Sequence, residues 1–457
     1  MGKHYSCFLA YDLRGRVPDE LNPDFVYRIA RAYADFLKPR TVAVGYDVRL
    51  SSPALADALS RGLNDAGVDV LDIGLGGTEE LYYATFAQKA DGGVMITASH
   101  NPMDYNGFKF VREEARPISA DTGLLDIEQR VFSGQFSSAD RRGTRREIKL
   151  RPDYARYLLN LIKLPALKPL RIVTNAGHGG AGLVVDALAP ELPFEFIKLQ
   201  HEPDGRFPQG VPNPILPENR AVTAAAVRQH RADFGVAWDG DFDRCFFFDE
   251  RGEFIEGYYL VGLIAQTLLE KHPGEKVVID PRLTWNTLEL VQQYGGHTVT
   301  SKAGHAFIKE TMRRENAIYG GEMSAHHYFR DFAYCDNGHL PWLLIAQLIS
   351  ETGKSLSQLV GERIARYPAS GEINRQVADA DAAQARIEKH YAQRALKVER
   401  IDGLGMEFSD WRFNLRKSNT EPLVRLNVEA RGDAALTRAR TQELLQLLGG
   451  ESAAGAH

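Results

Sequence analysis

The amino-acid sequence predicts an α/β protein of several domains, in which three similar α/β modules precede a C-terminal α+β domain. A strand, turn, helix and strand pattern occurs three times, beginning near Thr41, Leu170 and Lys276. Its apolar runs, bounded by Gly and Asp, are typical of buried parallel strands. Near the C-terminus, Trp411–Leu415 and Leu423–Val428 instead alternate apolar and polar residues, which indicates antiparallel strands with one solvated face. A chain of 457 residues is long enough for several domains of roughly 100–200 residues each.

Each module is predicted to contain two strands separated by one helix. The predicted helices begin at Ser52, Ala181 and Asn286. A strand and the turn after it are predicted within residues 41–47, 170–180 and 276–282, and the second strand within residues 68–75, 194–199 and 297–304. Junctions near residues 150, 250 and 366 divide the chain into predicted domains at 1–150, 151–250, 251–366 and 367–457.

The composition argues against several classes of protein. Hydrophobic residues make up 44% of the chain, charged residues 25%, and the net charge is −5, so a sizeable core is expected and a nucleic-acid or membrane partner is not. The basic run at residues 141–151 lacks interleaved aromatic residues and is predicted to be a solvated linker. No apolar stretch is long enough for a membrane span, and no signal peptide is recognisable. Three distant cysteines without a CxxC pattern favour the cytoplasm and argue against a thiolate metal site.

The first motif is MITASHNPMDYNGFKF, residues 95–110, in which Ser99 ends an apolar run. Ser99 is not in a G-x-S-x-G elbow, so an α/β-hydrolase mechanism is unsupported. Its hydroxyl is either a cap or turn group or a nucleophile. The segment Ser99–Lys109 supplies a hydroxyl, an imidazole, two amides and an ammonium, a set that suits a phosphate better than a carbonyl group.

The second motif is AWDGDFDRC, which places Asp239, Asp241 and Asp243 at a spacing of two. If the backbone is extended, the three carboxylates point the same way and require a cation. All-oxygen ligation favours Mg²⁺ or Ca²⁺. An acidic turn is the alternative, but the flanking apolar runs make unpartnered carboxylates costly, and an EF-hand lacks its Gly-x₅-Glu continuation. A phosphatase of the haloacid-dehalogenase type, with Asp12 as nucleophile, stays open.

The third motif is YGGEMSAHHYF, residues 319–329. Glu322 and Ser324 offer an acceptor and a hydroxyl that we expect on one face, a pair suited to neighbouring sugar hydroxyls. A satisfied turn is the alternative.

The fourth motif is RKSNTEP, residues 416–422, with Arg425 beyond it. A guanidinium, two hydroxyls and an amide around a turn form a phosphate cradle by donor count, although a solvated turn explains the same composition. The residues concerned are Arg416, Ser418, Asn419 and Thr420.

Taken together, these motifs resemble those of the α-D-phosphohexomutase family, in its bacterial phosphomannomutase/phosphoglucomutase branch. TASHNPMDYNGFK resembles the phosphoserine loop, DGDFDR the metal loop, GGEMSAHHYF the sugar-recognition loop and RKSNTEP the phosphate-binding loop, one per domain and in the family's order. YDLRG near the N-terminus also matches and adds Tyr11 and Arg14. The resemblance spans the chain. It implies three α/β domains with mixed sheets between helices and a fourth, TATA-box-binding-protein-like domain, heart-shaped around a central cleft.

The resemblance further implies a cytoplasmic isomerase that interconverts hexose 1-phosphates and hexose 6-phosphates of mannose, glucose or both. A phosphoryl group on Ser99 would pass to the sugar, giving glucose or mannose 1,6-bisphosphate as intermediate and activator, and would then be regained. Mg²⁺ would be held by Asp239, Asp241, Asp243 and an oxygen of the Ser99 phosphoryl group. Phosphosugars would be its partners, with no nucleic acid or membrane, and the enzyme would be a monomer.

Site residues also follow from the resemblance. The implied catalytic residues are Ser99, His100, Lys109, Arg14 and Arg244, with either His100 or Lys109 as general base. The implied substrate-binding residues are Tyr11, Arg282, His305, Glu322, Ser324, His326, Arg416, Ser418, Asn419, Thr420 and Arg425. The four domains would be a phosphoserine, a metal-binding, a sugar-recognition and a phosphate-binding domain.

Two alternative functions and three departures accompany this interpretation. The alternatives are a Mg²⁺-dependent sugar phosphatase and a non-catalytic phosphosugar sensor. Phe242 stands where the family often has Gly, and we expect its bulk to resist a positive φ, so that the metal loop differs locally. Arg282 replaces a common Lys, and Ala325 a common Gly.

Overall fold

The computed structural model of the protein describes residues 4–417 and 423–452. The chain divides into two compact units. The first contains the residues up to Gly252 together with Asp331–Glu351, and the second contains Glu253–Arg330 together with the residues from Thr352 onward.

Strands and helices succeed one another along the whole described chain. The first stretch contains β1 (Leu13–Arg16), α1 (Pro23–Leu37), β2 (Thr41–Tyr46), α2 (Ser52–Asp65), β3 (Asp69–Leu75), α3 (Thr78–Ala87), β4 (Gly92–Ile96), β5 (Tyr105–Arg112), α4 (Leu124–Ser133) and β6 (Arg145–Glu147). The next contains α5 (Arg151–Asn160), β7 (Arg171–Asn175), α6 (Ala181–Leu188), β8 (Glu195–Leu199), α7 (Ala221–His230), β9 (Phe234–Trp238) and β10 (Cys245–Asp249). The third contains β11 (Phe254–Ile255), α8 (Gly257–Leu269), β12 (Lys276–Ile279), α9 (Trp285–Gln293), β13 (His297–Thr300), α10 (His305–Glu315), β14 (Tyr319–Gly321), β15 (His327–Phe329), β16 (Cys335–Asp336), α11 (Leu340–Thr352) and α12 (Leu356–Arg366). The last contains β17 (Ala369–Gln376), α13 (Ala380–Tyr391), β18 (Lys397–Glu399), β19 (Leu404–Glu407), β20 (Trp411–Lys417), β21 (Leu423–Ala430), α14 (Ala434–Leu448) and β22 (Glu451–Ser452).

The first module is a mixed sheet with the strand order β1-β5-β4-β2-β3-β6. Its central strand β2 runs parallel to β3 and β4, while β5 is antiparallel to β4. Alternate residues of β2 enter different clusters: Val42 and Val44 pack into the core that contains residues of α1 and α2, whereas Ala43 packs with Leu81 of α3. Helices therefore cover both faces of the sheet, as the apolar, non-alternating sequence of β2 predicts.

The other two modules repeat this strand arrangement. In the second module, β7 runs parallel to β8 and β9, and β10 is antiparallel to β9. In the third, β12 runs parallel to β13 and β14, and β15 is antiparallel to β14. Strands and helices occur in each predicted segment, within a few residues of the expected bounds, so the predicted threefold α/β repeat is confirmed.

The C-terminal region forms a six-stranded sheet with the order β18-β19-β20-β21-β17-β22. The long strands β20 and β21 pair antiparallel, with Trp411 opposite Ala430, and their inward residues, including Phe413, Leu426 and Val428, pack against α13 and α14. The predicted antiparallel strands and the α+β character of this region are confirmed. The expected solvated face is wrong, because Trp411–Leu415 are all buried and the polar residues Arg412 and Glu429 pair with each other at 2.8 Å instead of facing water. No helix within the described ranges is both long enough and apolar enough to cross a membrane.

Candidate active site

Ser99 lies in the connection between β4 and β5, in the first unit. Its backbone is left-handed, with φ 48°, and its side chain is buried. The Ser99 amide donates to Thr97 Oγ1 at 2.9 Å. The hydroxyl is therefore presented by a constrained turn rather than by a helix cap.

Arg49, which the sequence analysis did not identify, stabilises this turn through hydrogen bonds to its backbone. It is 1% exposed, and its Nη2 donates to the carbonyls of Ser99 and Asn101 at 3.0 and 2.6 Å. Its Nη1 donates to the carbonyls of Pro102 and Tyr105 at 2.7 and 2.9 Å. A buried guanidinium that satisfies four loop carbonyls holds the Ser99 backbone in place. The one signal in the sequence is the position of Arg49 just after a central parallel strand.

The three aspartates occupy the tight loop between β9 and β10 rather than an extended strand. The expectation of an extended backbone is wrong, because Phe242 N donates to Asp239 O at 3.1 Å and closes the loop into a turn. The carboxylates nevertheless converge: one oxygen each from Asp239, Asp241 and Asp243 lies within 4.8 Å of the others.

Phe242 adopts the left-handed conformation that its bulk was expected to resist, with φ 47°. Its ring is fully buried and lies edge-on to His339, with 5.6 Å between ring centroids. Gly77 leaves room for the ring, since a Cβ there would lie 2.2 Å from it. Burial of the aromatic ring, worth roughly 2–3 kcal/mol, outweighs the roughly 1–2 kcal/mol cost of left-handed backbone. Ala325, the other departure, is also left-handed, with φ 71°.

Ser99 and the aspartate loop meet directly. Ser99 Oγ donates to Asp239 Oδ2 at 2.9 Å, across 140 residues of sequence. The loops also approach through their backbones, since a Cβ on Gly240 would lie 2.4 Å from Ser99 O. The hydroxyl and the acidic cluster thus form one site.

Arg244 and His100 complete the hydrogen bonds around Ser99. Arg244 donates to Asp239 Oδ2 from Nε and Nη2 at 2.8 and 2.6 Å, and its Nη2 lies 2.5 Å from His100 Nδ1. The same His100 nitrogen lies 3.1 Å from Ser99 Oγ. Burial raises the pKa of the Asp239 carboxyl, and Arg244 opposes that shift.

Lys109, on β5, lies against the other two carboxylates. Its Nζ is 2.7 Å from Asp241 Oδ2 and 2.5 Å from Asp243 Oδ2. Burial disfavours the ammonium, but Asp241 and Asp243 outweigh burial and raise the pKa of Lys109. A charged Lys109 can stabilise phosphoryl oxygens, and its contacts with two carboxylates make it a weaker candidate for proton acceptor.

Arg14 connects the N-terminal motif to the Ser99 turn. Its Nε and Nη2 donate to Asp12 Oδ2 at 2.9 and 2.8 Å, and its Nη1 donates to Ala98 O at 2.7 Å and to the Asn101 side chain. Asp12 is thus engaged by Arg14, whereas Ser99 is the nucleophile candidate that contacts the acidic cluster. Tyr11 lies half-buried beside Asp12.

The donor set at the acidic cluster fits a hard divalent cation. Asp239 Oδ1 and Asp241 Oδ1 are buried and have no hydrogen-bond partner among the described residues. Buried carboxylate oxygens of this kind are costly unless a cation binds them. Thr78 Oγ1 donates to Asp241 Oδ2 at 2.7 Å and orients that carboxylate. The residues present therefore match the oxygen ligation that Mg²⁺ prefers.

A buried pair that sequence reasoning missed supports the aspartate loop. His339 Nδ1 lies 2.5 Å from Glu79 Oε1, and Gly338 N donates to Glu79 Oε2 at 2.6 Å. Trp238, at the start of the loop, donates to Gly338 O at 2.8 Å and stacks on His339 at 5.1 Å. Because Glu79 and His339 are 260 residues apart in the chain, no local sequence pattern indicates that they pair.

In the second unit, Glu322 is buried in the turn between β14 and β15. Its Oε1 accepts from Gly304 N at 2.8 Å, next to His305 at the start of α10, and its Oε2 accepts from Tyr328 Oη at 2.6 Å. His326 Nδ1 is 3.6 Å from Glu322 Oε2. Ser324 lies half-buried in the same turn.

Arg282 lies beside this turn and is held by Asp280. Its Nη2 donates to Asp280 Oδ2 at 2.9 Å and lies 3.6 Å from Glu322 Oε1. Burial disfavours the charged form of Asp280, but Arg282 outweighs it and lowers the pKa of that carboxyl.

Arg416 and Arg425 lie directly opposite each other on β20 and β21. Both contact Glu372 of β17, at 3.3 and 3.4 Å. The remaining predicted residues of this motif, Ser418, Asn419 and Thr420, lie outside the described residues.

Comparison with known proteins gives concordant matches along the chain. Sequence models of the phosphoglucomutase/phosphomannomutase alpha/beta/alpha domains I, II and III match residues 6–138, 152–252 and 256–367, and that of the C-terminal domain matches residues 372–446. A phosphomannomutase from Salmonella montevideo is 60% identical over 450 residues, covering 97% of this chain and 99% of the relative.

Solved structures are similar as well. A phosphoglucomutase/phosphomannomutase family protein from Burkholderia thailandensis superimposes with a TM-score of 0.88 at 31% identity, covering 98% of this chain and 99% of that one. An Aspergillus fumigatus N-acetylphosphoglucosamine mutase, solved in complex with GlcNAc-6P and magnesium, has a TM-score of 0.60 at 13% identity over 96% of this chain and 95% of that one, a likeness of fold alone. Neither a phosphatase nor a sensor gains support from these proteins.

Proposed function

This chain belongs to the phosphoglucomutase/phosphomannomutase family, and we propose that its Ser99 carries the phosphoryl group which a hexose phosphate gains and loses. Family membership makes the protein a hexose-phosphate mutase, an isomerase of carbohydrate metabolism. The observation that supports Ser99 most directly is its 2.9 Å hydrogen bond to Asp239, one of three converging carboxylates. A hydroxyl beside a cation site and three basic side chains is arranged for phosphoryl transfer.

In the proposed reaction, the bond between phosphorus and Ser99 Oγ breaks as a bond to the free hydroxyl oxygen of a hexose 1- or 6-phosphate forms. The sugar hydroxyl proton passes to a base, and the freed Ser99 Oγ takes up a proton, so that the serine hydroxyl is restored. The product of this step is glucose or mannose 1,6-bisphosphate, which reorients and returns its other phosphoryl group to Ser99. We favour His100 over Lys109 as the base, because Asp241 and Asp243 keep Lys109 protonated.

Asp239, Asp241, Asp243 and a phosphoryl oxygen on Ser99 are proposed to hold Mg²⁺, which would supply Lewis-acid stabilisation of the phosphoryl oxygens. Arg244 orients Asp239 through two hydrogen bonds, while Lys109 brings a second positive charge to the cluster. We propose that Arg244 and Lys109 neutralise the charge that develops on the transferring phosphoryl group. Arg14 holds the Ser99 turn through the Ala98 carbonyl.

The second unit is proposed to bind the sugar and its other phosphate. Glu322 can accept a hydrogen bond from a sugar hydroxyl in place of the one it accepts from Tyr328. Arg416 and Arg425 offer forked donors for a phosphate. The remaining proposed substrate contacts, based on the family motifs, are Tyr11, Arg282, His305, Ser324, His326, Ser418, Asn419 and Thr420.

The wider assignment follows the same reasoning. Phosphoserine, metal-binding, sugar-recognition and phosphate-binding domains are proposed at 1–150, 151–250, 251–366 and 367–457. Phosphosugars of mannose, glucose or both are the proposed partners of a monomeric enzyme. A cytoplasmic location is supported by its three buried cysteine thiols, which form no disulfide.

Replacing Ser99 with Ala tests the proposal. We expect isomerisation of mannose 1-phosphate and glucose 1-phosphate, measured with catalytic 1,6-bisphosphate, to fall by about 10³-fold or more because the phosphoryl carrier is gone. Ser60→Ala, another buried serine on helix α2, is the matched control and should retain activity. Undiminished turnover by Ser99→Ala contradicts the proposal, and phosphate release by the unmodified enzyme at the rate of isomerisation would favour a phosphatase.

A further inference from the structure

Three arginines of the second unit converge on one carboxylate, Glu372. Arg282 Nη1 and Arg416 Nη2 lie 3.3 Å from Glu372 Oε2. Arg425 Nη1 lies 3.4 Å from Glu372 Oε1. The Glu372 side chain is 9% exposed, so these contacts are shielded from solvent and strengthened by the low local dielectric.

The sheet itself creates the need for this carboxylate. Arg416 and Arg425 are direct cross-strand partners on β20 and β21, and like charges in that position repel each other. Glu372 lies on the adjacent strand β17, where the register shifts between Ala369 and Glu372 and Gly371 has a φ of 69°. This bulge redirects the strand locally, and Glu372 contacts both guanidiniums.

The three arginines do not depend on Glu372 equally. Arg282 has its own partner in Asp280, with hydrogen bonds of 3.0 and 2.9 Å. Arg416 and Arg425 share Glu372, and the next carboxylate recorded near Arg416 is Asp402 at 3.8 Å. Their contacts with Glu372, at 3.3 and 3.4 Å, exceed the roughly 2.7–2.9 Å of a tight charge-assisted hydrogen bond, so an anion that approaches more closely can compete with this carboxylate.

Arg416 also keeps donor capacity for a ligand. Its Nε is buried and has no hydrogen-bond partner among the described residues, and its side chain is 18% exposed. A planar guanidinium in this state can donate to a second anionic oxygen while still contacting Glu372.

We propose that Glu372 is an internal competitor of the substrate phosphate: its carboxylate occupies the guanidiniums of Arg416 and Arg425 between binding events and limits their affinity for phosphate. This inference rests on the proposed role of those two arginines as phosphate ligands. A phosphate dianion displaces the carboxylate because it brings more charge and more acceptor oxygens. The carboxylate in turn makes phosphate binding less favourable.

Such a limit suits the proposed reaction, in which the same site must release one phosphate of the bisphosphate and take up the other. Binding a ground state too tightly slows turnover without aiding the chemical step. Glu372 is thus a positioning residue for the arginines that also sets how readily the phosphosugar leaves them.

The test is Glu372→Gln in the full-length protein, with inorganic phosphate as the probe in titration calorimetry. We expect the Kd for phosphate to fall by about tenfold, since the competing charge is removed while the side-chain shape is kept. In steady-state assays with mannose 1-phosphate, we expect the same variant to lower both KM and kcat. An unchanged or weakened phosphate affinity would overturn the inference and leave Glu372 as a structural brace.

Two further variants separate competition from mere stability. In Glu372→Gln/Arg416→Gln the gain in phosphate affinity should vanish, because the gain requires the Arg416 guanidinium; a gain that persists contradicts the inference. Glu372→Asp keeps the charge but shortens the side chain, so its phosphate affinity should fall between those of the unmodified protein and the Gln variant. This ordering remains testable if the Gln variant folds poorly.

Thermal unfolding provides a readout that a purely structural role would not alter in the same way. Without phosphate, repulsion between Arg416 and Arg425 should lower the Tm of Glu372→Gln, and phosphate should raise it by more than it raises that of the unmodified protein. Equal phosphate-induced shifts would contradict competition.

The outcomes also distinguish this inference from the proposed function. Tighter phosphate binding by Glu372→Gln in a protein without mutase activity would support the competitor and refute the function. An active mutase whose Gln variant binds phosphate no better would do the reverse.

Discussion

Ser99 and Phe242, the residues at the tips of the two loops that form the candidate site, both have left-handed backbones, with φ 48° and 47°. Such conformations cost about 1–2 kcal/mol for an L-residue and persist where the surroundings impose them. Arg49 imposes the first by binding the loop carbonyls, and the buried ring of Phe242 imposes the second. The strain is thus sustained by packing, and the Ser99 hydroxyl and the carboxylates are held in place in the absence of a ligand.

At the same scale, His327 predicts an acid sensitivity of the fold. It is fully buried on β15, its Nδ1 lies 2.6 Å from Tyr319 Oη, and burial lowers its pKa to about 3. The unfolded chain binds a proton on this histidine near pH 6.5. Between that pH and about 3, the unfolded state therefore holds more protons, and the free energy of unfolding falls as pH falls, by up to about 1.4 kcal/mol per pH unit.

We expect His327→Asn to show a smaller loss of Tm between pH 7.5 and pH 5 than the unmodified protein, because the titrating group is absent. Differential scanning fluorimetry at the two pH values measures the difference. His297→Asn, an exposed histidine on β13, is the control and should keep the original sensitivity. An equal loss of Tm in His327→Asn would show that another group carries the acid response.

At the scale of elements, all three α/β modules place their characteristic loop at the same structural position. Ser99 connects β4 to β5, the aspartates connect β9 to β10, and Glu322 and Ser324 connect β14 to β15. In each case a strand parallel to the central strand turns into an antiparallel neighbour. The repeat therefore provides the same loop position three times, and the side chains at that position differ from module to module.

The aspartates in the β9–β10 loop lead to a prediction about metal dependence. Asp241 Oδ1 is buried without a hydrogen-bond partner in the described chain, so Asp241→Asn should weaken Mg²⁺ binding by more than about tenfold. Treatment with EDTA should abolish isomerisation in the unmodified enzyme, and Mg²⁺ should restore it and raise the Tm. The variant should recover little on either measure at the same Mg²⁺ concentration.

Asp249→Asn is the matched control for this experiment. Asp249 is the last residue of β10, the strand that follows the aspartate loop, and it pairs with Arg251. That variant should respond to Mg²⁺ as the unmodified enzyme does. A full Mg²⁺ response by Asp241→Asn would remove this carboxylate from the proposed metal site.

At the scale of the whole molecule, the first unit is assembled from two separate parts of the chain. Asp331–Glu351 belongs to it although the intervening residues do not. This segment supplies Gly338 and His339, which bind the buried carboxylate of Glu79 behind the aspartate loop. Support for the aspartate loop therefore comes from a part of the chain that follows most of the third module.

A fragment ending at residue 252 should consequently be unstable. It lacks Gly338 and His339, which contact the buried Glu79 side chain, and loss of a hydrogen-bond partner from a buried polar group costs about 1–3 kcal/mol. We expect a fragment of residues 1–252 to unfold at a much lower temperature, in circular dichroism, than the same fragment joined through a flexible linker to residues 331–351. Equal melting temperatures for the two fragments would contradict the prediction.

Much of the fold was accessible from the sequence because its signals are local. Strands such as Thr41–Tyr46 are continuous apolar runs, and the alternation in Trp411–Lys417 marks an antiparallel strand. The motif loops could be located for the same reason, since each follows a strand within a few residues. The expected loop geometry around Phe242 was wrong, because backbone propensity alone does not include the energy of burying the ring.

The sequence by itself determined the three α/β modules, the C-terminal sheet and the order of the four motifs. Only the tertiary structure decided that Ser99 meets Asp239, that Arg49 and Glu79 with His339 hold the loops, and that Glu372 stands between Arg416 and Arg425. Hydrophobic periodicity is a property of short, contiguous segments, so a single helix or strand is enough to reveal it. A hydrogen bond across 140 or 260 residues exists only after packing has brought its two ends together.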